Sequence, residues 1–353
     1  MKTGAGKSPK ATDACSSAAT STVLPERGVI LIALLWIFVA LSGIALSFSR
    51  ESFVEVAAAR NAQALESSYF IARAGLAVTI YRLQEKRLSP QLQQSGPQDV
   101  PDPLDLGLLT GAFAGGSYRV RIEDEAGKIS INNVTEQQLA ALVEAAGIPY
   151  PDAAVIVDSI LDWRDTDLQP RPYGAEDDYY MALNQPYQAR NGLIETIEEL
   201  LLVRGMNADY FYGRRERDPG GSVSFRYGLS RYLTLYSTSR QINVNFAPLP
   251  VLLSIPGMPP LAAEVIHNRR KVMPFRDIAE VTSELPVQLS AETLPFLTTG
   301  QTGTFTLTAA ASLDNSKITR VIRTIINLNP GSKLNYETLY WNENITDYEG
   351  LTP

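Results

Sequence analysis

Cysteine and histidine are almost missing from this chain: among 353 residues there is one of each, Cys15 and His267. One thiol cannot form an internal disulfide, and one Cys with one His cannot build a Cys/His zinc cluster. Charge is missing from a second place. Val29 to Phe48, VILIALLWIFVALSGIALSF, contains no Asp, Glu, Lys or Arg. Proline is absent between Pro25 and Pro90, so no ring interrupts a helix there. Surplus positive charge is absent too. A net charge of −7 leaves no electrostatic footprint for a nucleic-acid partner.

The uncharged run is about 20 residues long, enough to cross a bilayer core of roughly 30 Å as a helix. Lys2, Lys7, Lys10 and Arg27 precede it, which orients the leader to the cytoplasm and the remainder outward. Beyond it, Ala57, Ala64, Ile71 and Val78 recur every seven residues, flanked by Leu65, Ala72, Leu76 and Leu83. The spacing predicts one helix over about 29–87, with 29–48 in lipid and 49–88 amphipathic. A secretory signal has a shorter apolar core ending at an A-x-A site. Here the core is longer and no such site follows. An ordinary signal anchor and a leader cut after Gly28 both remain open from this segment.

The rest reads as α+β. Residues 1–26 are Ser/Thr/Ala-rich and expected to be disordered. Prolines 90, 97, 101 and 103 make a loop. Ser117–Glu123 alternates as a strand, expected to pair with Lys128–Asn132 across Glu125-Ala126-Gly127. Helices are expected from Thr135 (capping with Gln138), over Asp152–Trp163 and over Glu195–Val203. Arg214–Gly221 reads as a linker. Strands return at Arg231–Ser237 and Gln241–Asn245. Helices follow near 248–254, 261–270 and 275–281. A hairpin, Thr304–Leu313 with Lys317–Leu328, turns at Asp314-Asn315, and Leu334–Asn342 is a last strand. There is an internal echo: Ile131-Asn132, two helices around Gly147, then a short helix; and Ile242 to Asn245, two helices around Gly257, then a short helix. The expected segments are a sheet portion at 112–134, an inserted helical block at 135–222, and a second sheet portion at 223–345 with a helical repeat at 246–285.

Chemistry concentrates in Asp162-Trp163-Arg164-Asp165-Thr166-Asp167 and Gly174-Ala175-Glu176-Asp177-Asp178. Calcium takes six to eight oxygens, and an irregular carboxylate-rich loop offers them. Asp165, Asp167 and Glu176 match positions 1, 3 and 12 of an EF-hand, but position 6 is Pro170 instead of Gly, so this is not an EF-hand. A solvated acidic loop is the other reading. Trp163, Tyr173, Tyr179 and Tyr180 argue that the loop packs down. No glycosidase-like carboxylate pair is supported by a sugar-stacking pattern. His267, near a helix C-terminus where positive charge is favoured, reads as a solvated residue, without a catalytic triad motif. A P-loop is excluded by Ile122 where its first Gly belongs. The echo resembles a helix-hairpin-helix or SAM-like unit. Its turn, Gly257-Met258-Pro259-Pro260, lacks the second Gly and the amide donors needed to grip phosphate.

Together, Gly28 before an apolar helix, DWRDTD, GAEDDYY, NGLIETIEELLLVRGM and QINVNFAPLPVLLSIPGM resemble the general secretion pathway protein K family (GspK), a minor pseudopilin of type II secretion. The Glu26-Arg27-Gly28-Val29 junction resembles a prepilin signal, with residues 1–28 as leader. Ala33 stands where most pseudopilins have Glu at mature position five, as in the K type. The resemblance implies a pilin-like fold with a long N-terminal helix, an antiparallel sheet and an inserted helical domain. It implies prepilin peptidase cleavage between Gly28 and Val29, methylation of the new N-terminus, and a non-enzymatic role initiating or capping the pseudopilus. It implies calcium on Asp165, Asp167, Glu176, Asp177 and Asp178. It also implies partnership with the I-, J- and H-type pseudopilins and the inner-membrane secretion platform. The expected location is the bacterial inner membrane, single-pass, with the C-terminal domain in the periplasm. A membrane-anchored tip adhesin or minor pilin of a type IV pilus is the alternative; an anchored periplasmic hydrolase is a distant third.

Overall fold

The structure, a computed structural model, describes residues 27–88, 102–217, 223–237, 239–301, 303–328 and 336–345. Residues 1–26 of the expected leader (1–28) and most of the proline-rich loop lie outside the described residues; Arg27 and Gly28 begin the first helix. The chain divides into two units, 1–61 and 62–353.

Helix α1 covers Arg27–Leu88, two residues earlier and one later than the pattern predicts. In the first unit its apolar residues from Ile30 to Phe48 are exposed. One span here is long and apolar enough to cross a membrane. In the second unit α1 buries Ser68, Ile71, Ala72, Leu76, Thr79 and Leu83. The heptad set overstates the apolar seam, because Val78 and Leu65 are exposed and two hydroxyl residues take their place. Thr79 Oγ1 donates to Gly75 O at 2.8 Å, so its hydroxyl enters the seam without an unmet bond.

That seam packs on a five-stranded antiparallel sheet, order β1-β2-β9-β10-β11. The strands are β1 Leu108–Phe113, β2 Gly116–Asp124, β9 Thr304–Leu313, β10 Thr319–Asn327 and β11 Glu337–Asn342. Tyr118, Val120 and Ile122 alternate inward on β2, meeting Ile71, Leu307 and Ile322 in one core. The expected pairing of 117–123 with 128–132 does not form. The partners of β2 are β1 and β9, while β3 (Ile129–Ser130) pairs in parallel with β6 (Leu233–Thr234). A 3-10 turn, Glu125–Gly127, redirects the chain before a hairpin closes.

Between β2 and β9 the chain builds a second core. It holds α2 Glu136–Ala145, α3 Asp152–Arg164, α4 Asp177–Met181, a 3-10 segment Ile197–Leu202, α5 Ala208–Tyr212, the hairpin β4 Gly213–Arg217 with β5 Val223–Tyr227, β6, β7 Ile242–Asn243, α6 Leu249–Leu253, α7 Pro260–Arg269, α8 Ile278–Glu284 and β8 Leu297–Thr298. Buried side chains from Ile129 to Leu297 form one cluster. The expected boundary at residue 223 is therefore displaced: the chain returns to the sheet at Thr304, and buried residues from Leu229 to Leu297 share the helical block's core. Arg214–Gly221, expected as a linker, begins in a paired strand up to Arg217. The expected strands 231–237 and 241–245 shrink to two residues each.

The internal echo has a structural basis. Asn132 Nδ2 donates to Ile194 O, and Ile194 N donates to Asn132 Oδ1, both at 2.9 Å. Asn245 repeats this with Phe275, both at 2.8 Å. Arg164, at the end of α3, donates to Ile131 O; Arg270, just past α7, donates to Val244 O. The two helical pairs turn at Gly147 (φ +80°) and Gly257 (φ +68°), left-handed conformations that favour glycine.

The two cores meet where β2 ends. Asp124 accepts from Ala126 N at 2.9 Å and Asn243 Nδ2 at 3.0 Å. Buried Glu125 accepts from Lys128 Nζ and Thr306 Oγ1, each at 2.5 Å, and from Thr234 Oγ1. Strand β9, strand β6 and the turn are thus held by one carboxylate.

Candidate metal centre

The acidic loop leaves the C-terminus of α3 and ends at α4. Its entry is anchored: Arg164 donates from its two terminal nitrogens to Ile131 O (2.6 Å) and Val134 O (2.7 Å). Beneath it Trp163, Tyr180 and Tyr187 pack edge-on and stacked, centroids 5.2 to 6.3 Å apart, which is favourable aromatic geometry. Tyr180 is fully buried, and its hydroxyl accepts from Arg204 N at 3.2 Å. Arg204 also donates to Gly174 O at 2.8 Å and covers the Tyr179 ring at 4.8 Å. Tyr173 N donates to Asp158 at 3.0 Å. The loop is packed down, as its aromatic residues suggest.

Carboxylate oxygens of Asp165, Asp167 and Glu176 lie within 4.8 Å of one another. Asp177 and Asp178 stand outside that group. Asp177 Oδ1 accepts from Ala189 N at 2.7 Å, and Asp178 is exposed. Arg171, which the sequence reading left out, donates to Asp162 Oδ1 (2.6 Å) and Asp165 Oδ2 (2.7 Å). Asp162 is thereby committed to the loop's own frame. An arginine inside an acidic run was the signal that could have found this.

Three oxygens of the cluster are left without donors. Glu176 is 5% exposed, and neither of its carboxylate oxygens has a hydrogen-bond partner; nor does Asp165 Oδ1. Buried carboxylate oxygens without donors are costly. Burial pushes the Glu176 carboxyl up to about 7, reinforced by Asp162, Asp165, Asp167 and Asp177. An oxygen-only donor set fits a hard cation such as Ca²⁺ or Mg²⁺ and not a soft one.

His267 differs from expectation. It is half-buried, and burial, Arg270 and Lys271 push it down to about 4. It is neutral near pH 7 and lines a cavity.

Comparison with known proteins converges on one family. Residues 119–212, which include most of β2, α2, α3 and the whole acidic loop, match the family described as type II secretion system (T2SS), protein K. A type II secretion system protein K of Pseudomonas aeruginosa is 28% identical over 232 residues, covering 60% of this chain and 64% of the relative. The Aeromonas hydrophila protein of the same name is 33% identical over 124 residues, 31% of this chain and 37% of the relative. This central segment of the chain is thus similar to type II secretion system protein K. The aligned segments span less than two thirds of the length of either relative. In fold, the chain is similar to a solved chain of the GspK-GspI-GspJ complex from enterotoxigenic Escherichia coli. The TM-score is 0.53 at 19% identity, covering 80% of this chain and 98% of that one. The family fits the mixed architecture of a long N-terminal apolar helix, an antiparallel sheet and a helical block.

Proposed function

We propose that this chain is a minor pseudopilin at the tip of the type II secretion pseudopilus, which initiates or caps the fibre and has no catalytic role. The observation that carries this reading is the protein K match over 119–212 in a chain that also has an apolar helix after Gly28 without Glu at position 33. The same match favours type II secretion over the type IV pilus alternative. Its partners are I- and J-type pseudopilins, by analogy with the GspK-GspI-GspJ complex, together with the H type, the inner-membrane platform and the prepilin peptidase. α1 anchors it in the inner membrane with the C-terminal domain in the periplasm, in keeping with the basic residues before the apolar run. Deletion of the gene should stop export of secreted enzymes, and the full-length gene should restore it. Unchanged export in the deletion strain rejects the reading.

Processing belongs to this reading: the peptidase cuts between Gly28 and Val29, and methylation follows. N-terminal sequencing of the mature protein should begin at Val29, and Gly28→Val should block cleavage. Calcium belongs to it as well, held by Asp165, Asp167 and Glu176, which would draw the carboxylates together and satisfy the oxygens left without donors. Asp177 and Asp178, expected as further ligands, would act on the ion through their charge. Ligand linkage gives about 2.7 kcal/mol of stabilisation at a hundredfold excess over Kd. A thermal melt of the purified chain should rise in Ca²⁺ relative to chelator. Asp165→Ala combined with Glu176→Ala should remove the rise. Identical melts of the unmutated chain in Ca²⁺ and chelator would leave the loop merely solvated.

A further inference from the structure

A cavity of about 360 Å³ lies between the end of β2 and the second helical pair. Its charged residues are Glu123, Asp124, Lys128, Arg231 and Arg270, and its apolar wall includes Phe246, Leu249 and Pro250. The volume is within the range of small-ligand sites. Two of its cations have carboxylate partners: Arg231 meets Glu123 at 2.8 Å, and Lys128 meets Glu125 at 2.5 Å. Arg270 is different. Among the described residues it makes no ion pair. Its Nη1 donates to Val244 O at 2.9 Å, and its Nη2 lies 3.2 Å from His267 Nδ1.

The repeat sharpens this. Arg164, its counterpart in the first helical pair, places both terminal nitrogens on main-chain carbonyls. Arg270 keeps one such bond and turns its other nitrogen to a neutral imidazole at the cavity wall. A half-buried guanidinium without counter-charge is unfavourable, and its planar fork suits a carboxylate. We propose that this cavity binds a carboxylate carried on an apolar body, with Arg270 as the anchor and Phe246, Leu249 and Pro250 against the apolar part.

The test uses the purified full chain in detergent, titrated by calorimetry with N-acetyl-phenylalanine and with its amide. The acid should bind, and the amide about tenfold more weakly, the difference made by a charge-assisted hydrogen bond. Arg270→Gln should erase that difference. Leu249→Trp fills the cavity while keeping Arg270, and should abolish binding of both. If Arg270→Gln fails to fold, the acid–amide comparison and Leu249→Trp still decide. A short peptide ending in phenylalanine separates the sources of the carboxylate. Binding equal to that of the small acid assigns the site to a chain terminus; much weaker binding assigns it to a free organic acid. No heat from the acid at millimolar concentration, equal affinity for acid and amide, or undiminished binding by Leu249→Trp overturns the proposal.

Discussion

Glu123 shows how a single carboxylate in this protein is tuned. Burial pushes its pKa up, yet Arg231, Lys128, Arg121 and Arg323 together hold it at about 2, well below the usual 4.5. A carboxylate depressed in the folded state stabilises above its unfolded pKa and loses that contribution as pH falls through the folded value. The window here runs from about 4.5 down to about 2. Glu123→Gln should therefore flatten the dependence of unfolding free energy on pH in that interval, relative to the unmutated chain. Equal slopes in acid denaturant titrations would refute the assignment. Gly174 is a second residue-scale case. A Cβ built there meets the Asp162 carboxylate and crowds Arg171 N at 3.2 Å. Asp162 is fully buried and tied to Arg171, so it has nowhere to go. Gly174→Ala should cost about 1–3 kcal/mol by overpacking, read as a lower denaturation midpoint, and should weaken the proposed Ca²⁺ response in parallel.

Among the elements, what was legible in the sequence followed periodicity and what was not followed pairing. The alternation of Tyr118, Val120 and Ile122 announces β2, and the 304–328 hairpin announces itself by its turn. Of the two partners of β2, β9 could not be read, because it lies some 180 residues on and nothing local encodes that contact; β1, a hairpin neighbour just before it, lacks the apolar alternation that marks β2. Ile129–Ser130 has strand-like residues, but Glu125 turns the chain away to serve Thr306 and Thr234. The seam of α1 was only partly legible, since Ser68 and Thr79 look polar in a hydropathy reading while sitting fully buried. In the acidic loop, composition marks a carboxylate cluster, but the five candidate ligands Asp165, Asp167, Glu176, Asp177 and Asp178 come from the family resemblance, and only the fold separates Asp165, Asp167 and Glu176 from the other two. Arg171's hold on Asp162, which decides the carboxylates left over, depends on the loop's fold. The junction carries a prediction. Glu125→Ala leaves Lys128, Thr306 and Thr234 without their acceptor, and breaking a buried pair in this way costs about 3–5 kcal/mol. Glu125→Gln keeps an acceptor and should cost less. Should chemical denaturation find the two substitutions equal, the carboxylate's charge is not what holds the cores together. Asn132→Ala and Asn245→Ala each remove a reciprocal pair of bonds to main chain. About 1 kcal/mol per bond predicts similar losses of about 2 kcal/mol at both sites if the repeat is energetically real.

For the molecule as a whole, the proposed position in the fibre rests on an absence. In a pilin-like fibre, an acidic side chain at mature position five would neutralise the N-terminal amine of the next subunit. An ammonium buried in apolar surroundings without such a partner is expensive. Ala33 supplies no charge, so a subunit that never has to receive a neighbour's N-terminus can carry it at no cost. The size of the helical block fits the same proposal: buried residues from Ile129 to Leu297 form a core of their own, far more than a small connecting loop. One or few copies per fibre are therefore expected, at one end, with growth beneath them. Ala33→Glu should be tolerated or mildly disruptive, because it adds a charge that no neighbour needs. Gold-labelled antibody against the folded domain should decorate a single end of isolated pseudopili. Uniform labelling along their length would mean that subunits lacking the acidic residue are accommodated inside the fibre, and the charge argument for a tip position would then fail.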